Sequence, residues 1–236
     1  MNIFLDLETT GVEKIDRLCS VAMITDEISH CELINPEKKV PPSAMAVHHI
    51  TNEMLQDKLT FEQSKTAELL LELNSTQNVL IGHNIGFDID MLSREGSVWQ
   101  GGFIDTLKCT RELIGSEIEQ FSLQFLRYEL RLHLQERDLA KRLGVTIQAH
   151  NALSDAMHVK MLYEYLLGSA THEELMRISV EPVLILKLPF GKYRGRFIED
   201  VARRDEKYLN WMLNSLSDLD EDLRYSIKHY LVEVKS

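Results

Sequence analysis

The N-terminal segment Asn2-Ile3-Phe4-Leu5-Asp6-Leu7-Glu8 sets two carboxylates, two residues apart, in an otherwise apolar run of strand-forming residues. A β-strand has a side-chain period of two, so Asp6 and Glu8 leave the same face. Like charges side by side on a sheet interior are unfavourable unless something positive lies between them. An exposed polar face on an edge strand is the alternative. The apolar surroundings argue against it, as does the Thr9-Thr10-Gly11 turn that follows at once and lets backbone approach a ligand.

The remaining pattern supplies a sheet for this strand. Arg17 to Thr25 and Cys31 to Ile34 read as two more strands, an antiparallel start. Thr60-Phe61-Glu62-Gln63 has capping-box spacing and predicts a helix running to about Leu73. Asn78 to Gly82 is an apolar strand that leads into a helix near Phe87 to Arg94. Phe103 to Asp105 predicts a fourth central strand, with a helix from about Thr106. Helices are also predicted over Ser122 to Leu132, over Arg137 to Leu143 (ended by Gly144) and over Ala152 to Leu167 (closed by Gly168). Strands first, then strands alternating with helices, predict an α/β fold around a mixed sheet.

Residues 1–170 read as this domain. Thr171-His172-Glu173-Glu174 is a second capping box, on a short connecting helix, so 171–180 read as a linker. Beyond it, Val183 to Leu188 reads as a strand and Phe190 to Gly195 as a turn between strands. Helices are predicted near Lys207 to Leu216 and Asp220 to Val234. Residues 181–236 are thus expected to form a small α+β module.

Composition narrows the function. No apolar run approaches the about 20 residues that span a membrane, and the first residues lack the basic stretch of a signal peptide. A cytoplasmic protein that does not engage a membrane is expected. Cys19, Cys31 and Cys109 show no zinc spacing and no disulfide framework, and read as small buried hydrophobes in a reducing compartment. A net charge of −11 speaks against coating nucleic acid through a basic surface. It leaves room for an enzyme that grips a strand end, with carboxylates neutralised by divalent ions. Oligomeric state is not set by these features.

Three further residues join Asp6 and Glu8. Asp88, in His83-Asn84-Ile85-Gly86-Phe87-Asp88, falls near the start of a helix that follows a strand. It is either a helix-terminal charge, stabilising by roughly 0.3–1 kcal/mol, or a group leaning toward the strand ends where α/β sites form. Asp155 shares a helix face with Ala152, Val159 and Leu162, at spacings of three, four and seven. A carboxylate facing a core is costly unless paired or metal-bound. His150, five residues earlier, is placed in the loop before that helix, free to act as general base for water. His158, one turn after Asp155, reads as a structural helix-face residue.

Together these blocks resemble the DEDD exonuclease superfamily in its histidine (DEDDh) branch. The matching segments are Asp6-Leu7-Glu8-Thr9-Thr10-Gly11, His83 to Asp88, and His150-Asn151-Ala152-Leu153-Ser154-Asp155-Ala156. Each alone is weak; all three, in the family's order over roughly the first 170 residues, are specific. Ala44 to Thr51 is similar to the family's stretch that contacts the terminal nucleotide, and Phe103 to Leu107 to its Asp-Thr strand end. In the tail, Pro189 to Gly195, Asp200-Val201 and Tyr208-Leu209-Asn210-Trp211 resemble the C-terminal module of the exodeoxyribonuclease X family.

The resemblance implies an RNase H-like fold and 3′→5′ hydrolysis of DNA to nucleoside 5′-monophosphates. It also implies two ions, Mg²⁺ or Mn²⁺, roughly 3.5–4 Å apart. Asp6 would bridge both ions, Glu8 and Asp155 would complete one shell, Asp88 would serve the other, and His150 would take the water's proton. Thr9, Thr10 and Gly11 would hold the terminal nucleotide, with Val47, His48 and Ile50 packed on its sugar or base and Asn84 orienting the strand. His48 and His49 could equally be turn residues, and Asn84 an Asx-turn. Lys192 and Arg194 are expected to contact DNA, whereas Phe190 and Trp211 are expected in the module's own core. RNA trimming by the same chemistry, and a proofreading subunit docked on a polymerase, are the rival readings.

Overall fold

The computed structural model describes residues 1–217 and 219–234. β1 (Asn2–Thr9) is the central strand, because each of its faces buries a different set of side chains. It pairs antiparallel with β2 (Leu18–Ile24), Asp6 opposite Ala22 and Glu8 opposite Ser20, with the register slipping between Glu8 and Thr9. β2 pairs antiparallel with β3 (Ser29–Leu33). Two short helices follow, α1 (Pro42–His48) and α2 (Asn52–Leu55), then α3 (Lys65–Leu73). β4 (Val79–Gly82) lies parallel to β1 and runs into α4 (Ile85–Arg94). β5 (Gly102–Asp105) lies parallel to β4, which gives the mixed order β3-β2-β1-β4-β5. The predicted α/β class is correct, but the strand expected at the centre, Phe103 to Asp105, is an edge.

The helices close both faces. α5 (Thr106–Ile114), α6 (Leu123–Glu129), α7 (Glu136–Leu143) and α8 (Ala152–Leu166) lie beyond β5 in sequence. Ala152, Ala156, Val159 and Leu162 of α8 share one core with Phe4, Ala22, Ile24 and Ile81. Ile3, Leu5 and Leu7 face the other way, onto Leu70, Ile85, Met91 and Leu92 of α3 and α4. Alternation along β1 thus assigns Phe4, Asp6 and Glu8 to the α8 face.

The capping box predicted at Thr60 does not form. Thr60 makes no side-chain cap bond, and Phe61–Gln63 is a single 3₁₀ turn that buries Phe61. Ser64, extended and accepting from the Ala67 N–H, is the cap of α3. α8 ends at Leu166, and Gly168 has no left-handed conformation to close it, whereas Gly144 does cap α7 that way. Cys19 and Cys109 are buried, but Cys31 is exposed on the edge strand β3.

The expected linker is part of the domain. α9 (His172–Val180) does carry the capping box at Thr171. Its Leu175 and Ile178 belong to the α8 core, and Ser179 Oγ accepts from the Asp105 N–H at 2.8 Å. Continuity of the first unit therefore extends to Val180. The tail differs from an α+β module. Three helices, α10 (Ile198–Arg204), α11 (Glu206–Ser215) and α12 (Glu221–Glu233), enclose its core, and the first of them has no counterpart among the expected helices. Val183 to Leu188 forms no ladder; Lys187 and Phe197 make one isolated bridge. The backbone of this segment is shared between α12, with Val183 N donating to Asp222 Oδ1 and Ile185 N to Ser226 Oγ, and residues 195–198, with Leu188 N donating to the Arg196 carbonyl and Ile198 N to the Leu186 carbonyl. Phe190 (43% exposed) and Trp211 (51% exposed) stand on the surface, and aliphatic side chains fill the module's core. Among the described residues, no helix is long and apolar enough to cross a membrane.

Candidate active site

The carboxylates gather at the C-terminal end of β1, where α8 crosses it. Asn151 caps α8 by accepting from the Ser154 N–H, which sets Asp155 in the first turn with its side chain inward, 6% exposed. One carboxylate oxygen each from Asp6, Glu8 and Asp155 lie within 4.8 Å of one another. Asp88, buried in the first turn of α4, stands outside this triplet but within electrostatic reach of Asp6 and Glu8. His150 is exposed, in left-handed backbone (φ 55°) just before α8. Residues distant along the chain thus converge: four carboxylates lie around one strand end, and an imidazole stands on the turn that leads into α8.

The electrostatics describe a site short of positive charge. Burial, then repulsion from Asp155, Asp88 and Glu8, pushes the Asp6 carboxyl well above the usual range. Burial and Asp155 push Glu8 up to about 7. Asp88 is raised by burial, and further by Asp105 and Glu8, against the pull of a backbone N–H. An all-oxygen set of this kind suits a hard divalent cation, which would relieve the repulsion directly. The donor set therefore fits a metal held by Asp6, Glu8 and Asp155.

A stability dependence follows. Between the ordinary carboxylate value and about 7, the folded chain holds a proton on Glu8 that the unfolded chain has lost. This contribution is complete at low pH and disappears as pH rises through that window. It is on the order of 3 kcal/mol at most. Thermal melts of metal-free protein from pH 5 to pH 8 should show stability falling more steeply for the wild-type chain than for Glu8→Gln. Equal slopes, or a wild-type slope of the opposite sign, would contradict the assigned direction.

The expected nucleotide-holding residues divide. Thr10 is buried and its Oγ1 is spent, donating to Asp16 Oδ1 at 2.6 Å and accepting from the Arg17 N–H. Thr9 Oγ1 donates to the Gly11 carbonyl. At Gly11 a Cβ would meet Asp16 Oδ2 at 2.4 Å, so this glycine makes room for Asp16. The Thr9-Thr10-Gly11 turn braces the strand end, and the Thr10 side chain is not free for a nucleotide. Ile50 is buried with Cys19, Val40 and Leu55, and so cannot pack on a sugar. His48 ends α1 and is buried, its Nδ1 accepting from the Ile50 N–H; burial lowers its pKa. Val47 is exposed. Asn84 is exposed in left-handed backbone, makes no side-chain cap bond, and donates its N–H to Asp105 Oδ1.

Residues beyond the five expected catalytic positions complete the surroundings. His83 bridges Thr106 Oγ1 (3.0 Å) and the Phe121 carbonyl (2.6 Å), and burial brings its pKa down to about 4. Gln124 Nε2 donates to Asp155 Oδ1 at 2.5 Å. These partners lie 38 and 31 residues apart in sequence, beyond any local periodicity.

Known proteins are similar to this chain in sequence and fold. The family model described as Exonuclease matches residues 3–163, and one described as Exodeoxyribonuclease X-like C-terminal matches residues 188–217. Exodeoxyribonuclease 10 of Escherichia coli (strain K12) is 29% identical over 232 residues, covering 96% of this chain and 97% of that protein. DNA polymerase III subunit epsilon of Rickettsia typhi is 32% identical over 178 residues, covering 70% of this chain and 73% of that protein. In fold, the chain is similar to Exonuclease X solved in complex with 5′ overhanging duplex DNA (TM-score 0.54, 23% identity, 76% of this chain and 99% of that one). With the family match spanning most of the sequence, this protein belongs to the exonuclease family.

Proposed function

We propose that the chain removes nucleotides from the 3′ end of DNA as nucleoside 5′-monophosphates, with two divalent ions, Mg²⁺ or Mn²⁺. The observation that carries this reading is the approach of Asp6, Glu8 and Asp155 to within 4.8 Å. Asp6, Glu8, Asp88 and Asp155 would hold the ions. When bound, such ions stabilise charge on the attacking and leaving oxygens. His150 swings from the rim and accepts the proton of the attacking water at an imidazole nitrogen. Its left-handed backbone turns it out of α8, which an i, i+5 position inside the helix would not allow.

DNA is favoured over RNA because likeness to Exodeoxyribonuclease 10 covers nearly the whole chain, tail included. Likeness to the polymerase subunit covers 70% of the chain. Matched single strands of DNA and RNA test the choice: faster loss of the RNA would reverse it. Free thiols throughout fit a reducing cytoplasm.

The tail supports strand holding. Lys192 is exposed but ion-paired to Asp205 at 3.1 Å, with its ammonium 4.6 Å from the Tyr193 ring centre. Arg194 lines a cavity of about 470 Å³ together with Arg111, Phe121, Lys187 and Phe197. Arg111 sits over the Phe121 ring and Lys187 over the Phe197 ring. Cations and aromatics side by side are how single strands are held without sequence preference. The Phe121 carbonyl that borders this cavity accepts from His83, next to Asn84 of the site, so a strand crossing it leads toward the carboxylates. Replacing Lys192 and Arg194 by Ala should weaken DNA binding and make it less salt-dependent, the slope falling by ~0.7 for each phosphate these cations no longer neutralise. An unchanged slope of log affinity against log salt would remove these two residues from the binding surface.

A further inference from the structure

Asp155 stands at one end of a hydrogen-bonded chain of five side chains that folds back on itself. Gln124 Nε2 donates to Asp155 Oδ1 at 2.5 Å, and Gln124 Oε1 accepts from Arg127 Nη1 at 3.1 Å. Arg127 forks onto Glu136, Nε to Oε2 at 2.6 Å and Nη2 to Oε1 at 2.8 Å. Glu136 Oε2 also accepts from His158 Nε2 at 3.0 Å. His158 then returns to α8's first turn, with Nδ1 3.6 Å from Asp155 Oδ1. That nitrogen is fully buried and has no hydrogen-bond partner among the described residues.

The chemistry fixes the direction of each link. A guanidinium only donates and a carboxylate only accepts, so the Gln124 amide has one orientation that satisfies both neighbours. For the same reason His158 carries its proton on Nε2 toward Glu136. Arg127, Glu136, Asp155 and His158 are all buried. Apolar residues of the same volume would be at least as stable there, so stability alone does not account for a buried charged network. The hydrogen bond from Gln124 falls on Asp155 Oδ1, so Oδ2 carries none from this chain, and one oxygen of Asp155 lies within 4.8 Å of oxygens of Asp6 and Glu8.

We propose that Gln124 is a positioning residue, held by Arg127, Glu136 and His158, that fixes Asp155 Oδ1 so that Oδ2 is presented to the divalent cation. The inference rests on the metal-holding reading of Asp155. Groups that orient metal ligands in this way contribute ~10–100-fold to metal affinity or activity.

Gln124→Met keeps length and half-buried packing while removing both hydrogen bonds. The readout is Mn²⁺ binding to the DNA-free protein by calorimetry, with kcat and KM for DNA measured across a Mn²⁺ titration. A dissociation constant for Mn²⁺ raised ~10-fold or more is expected, with kcat regained at high Mn²⁺ and KM for DNA unchanged. Arg127→Lys, which keeps the charge but loses the fork onto Glu136, should move Mn²⁺ affinity the same way by less. Gln124→Met protein that melts like the wild type and binds Mn²⁺ equally well would overturn the positioning role. Wild-type protein that binds no Mn²⁺, or binds it equally well as Asp155→Asn, would overturn the metal reading beneath it. The two failures are therefore distinguishable.

Discussion

Asp6→Asn is expected to lower turnover by ~10³-fold or more while raising the melting temperature of the metal-free protein. The two effects come from one cause. Asp6 sits half-buried on the central strand, with Asp155, Asp88 and Glu8 all raising its pKa. Without metal its charge is a liability to the fold. On the proposed reading it would help to hold the metal, so its loss would remove transition-state stabilisation worth several kcal/mol. An amide of the same size keeps the packing against Ala22 and relieves the repulsion. For a domain of this size each kcal/mol relieved raises the melting temperature by about 2–4 °C. The gain should grow with pH, since a carboxyl with a raised pKa costs the folded state most where solution favours its ionised form. Calorimetry in EDTA, beside single-turnover rates in Mg²⁺, reads both. A variant that loses activity and also melts well below wild type would point to a structural role for Asp6.

His150→Ala is expected to slow turnover ~10²–10⁴-fold with little change in KM for DNA or in metal affinity. His150 makes no hydrogen bond or ion pair among the described residues, so its removal leaves no buried group unpaired. It is exposed and stands at φ 55° in the turn before α8, whose first turn carries Asp155. Imidazole added to the buffer should restore part of the rate, because the missing function is proton acceptance. A large loss of DNA affinity at unchanged turnover would assign His150 to binding instead.

How much of this was legible in the sequence depends on the range of each interaction. Asp6 and Glu8 were readable because a strand's period of two places them together, and Asp155 because the i±3 and i±4 rule places it on α8's buried face. The sheet and its flanking helices followed from the same periodicities. Interactions that span the chain left no such mark. Gln124 reaches Asp155 across 31 residues. Val183 to Leu188 has the apolar run of a strand, yet part of its backbone binds the side chains of Asp222 and Ser226, 39 and 41 residues on from the groups they bind. An apolar run reports burial and says nothing of whether a full ladder forms beside it. The Thr9-Thr10-Gly11 turn shows the same limit. Its small residues signal close approach, but the group that approaches is Asp16. At Thr60 a cap pattern was present and lost, because burying Phe61 bends the chain before α3 can start.

Four acidic side chains are proposed to make the chain a metal-dependent nuclease acting from one strand end. A 5′-labelled single strand of DNA, sampled over time with Mg²⁺, with EDTA, and with the Asp6→Asn protein, tests this most directly. A ladder that shortens by single nucleotides from the 3′ end is expected in Mg²⁺ with the wild-type protein alone, with mononucleotide as product. Cleavage that persists in EDTA, or fragments that arise from internal cuts, would contradict it.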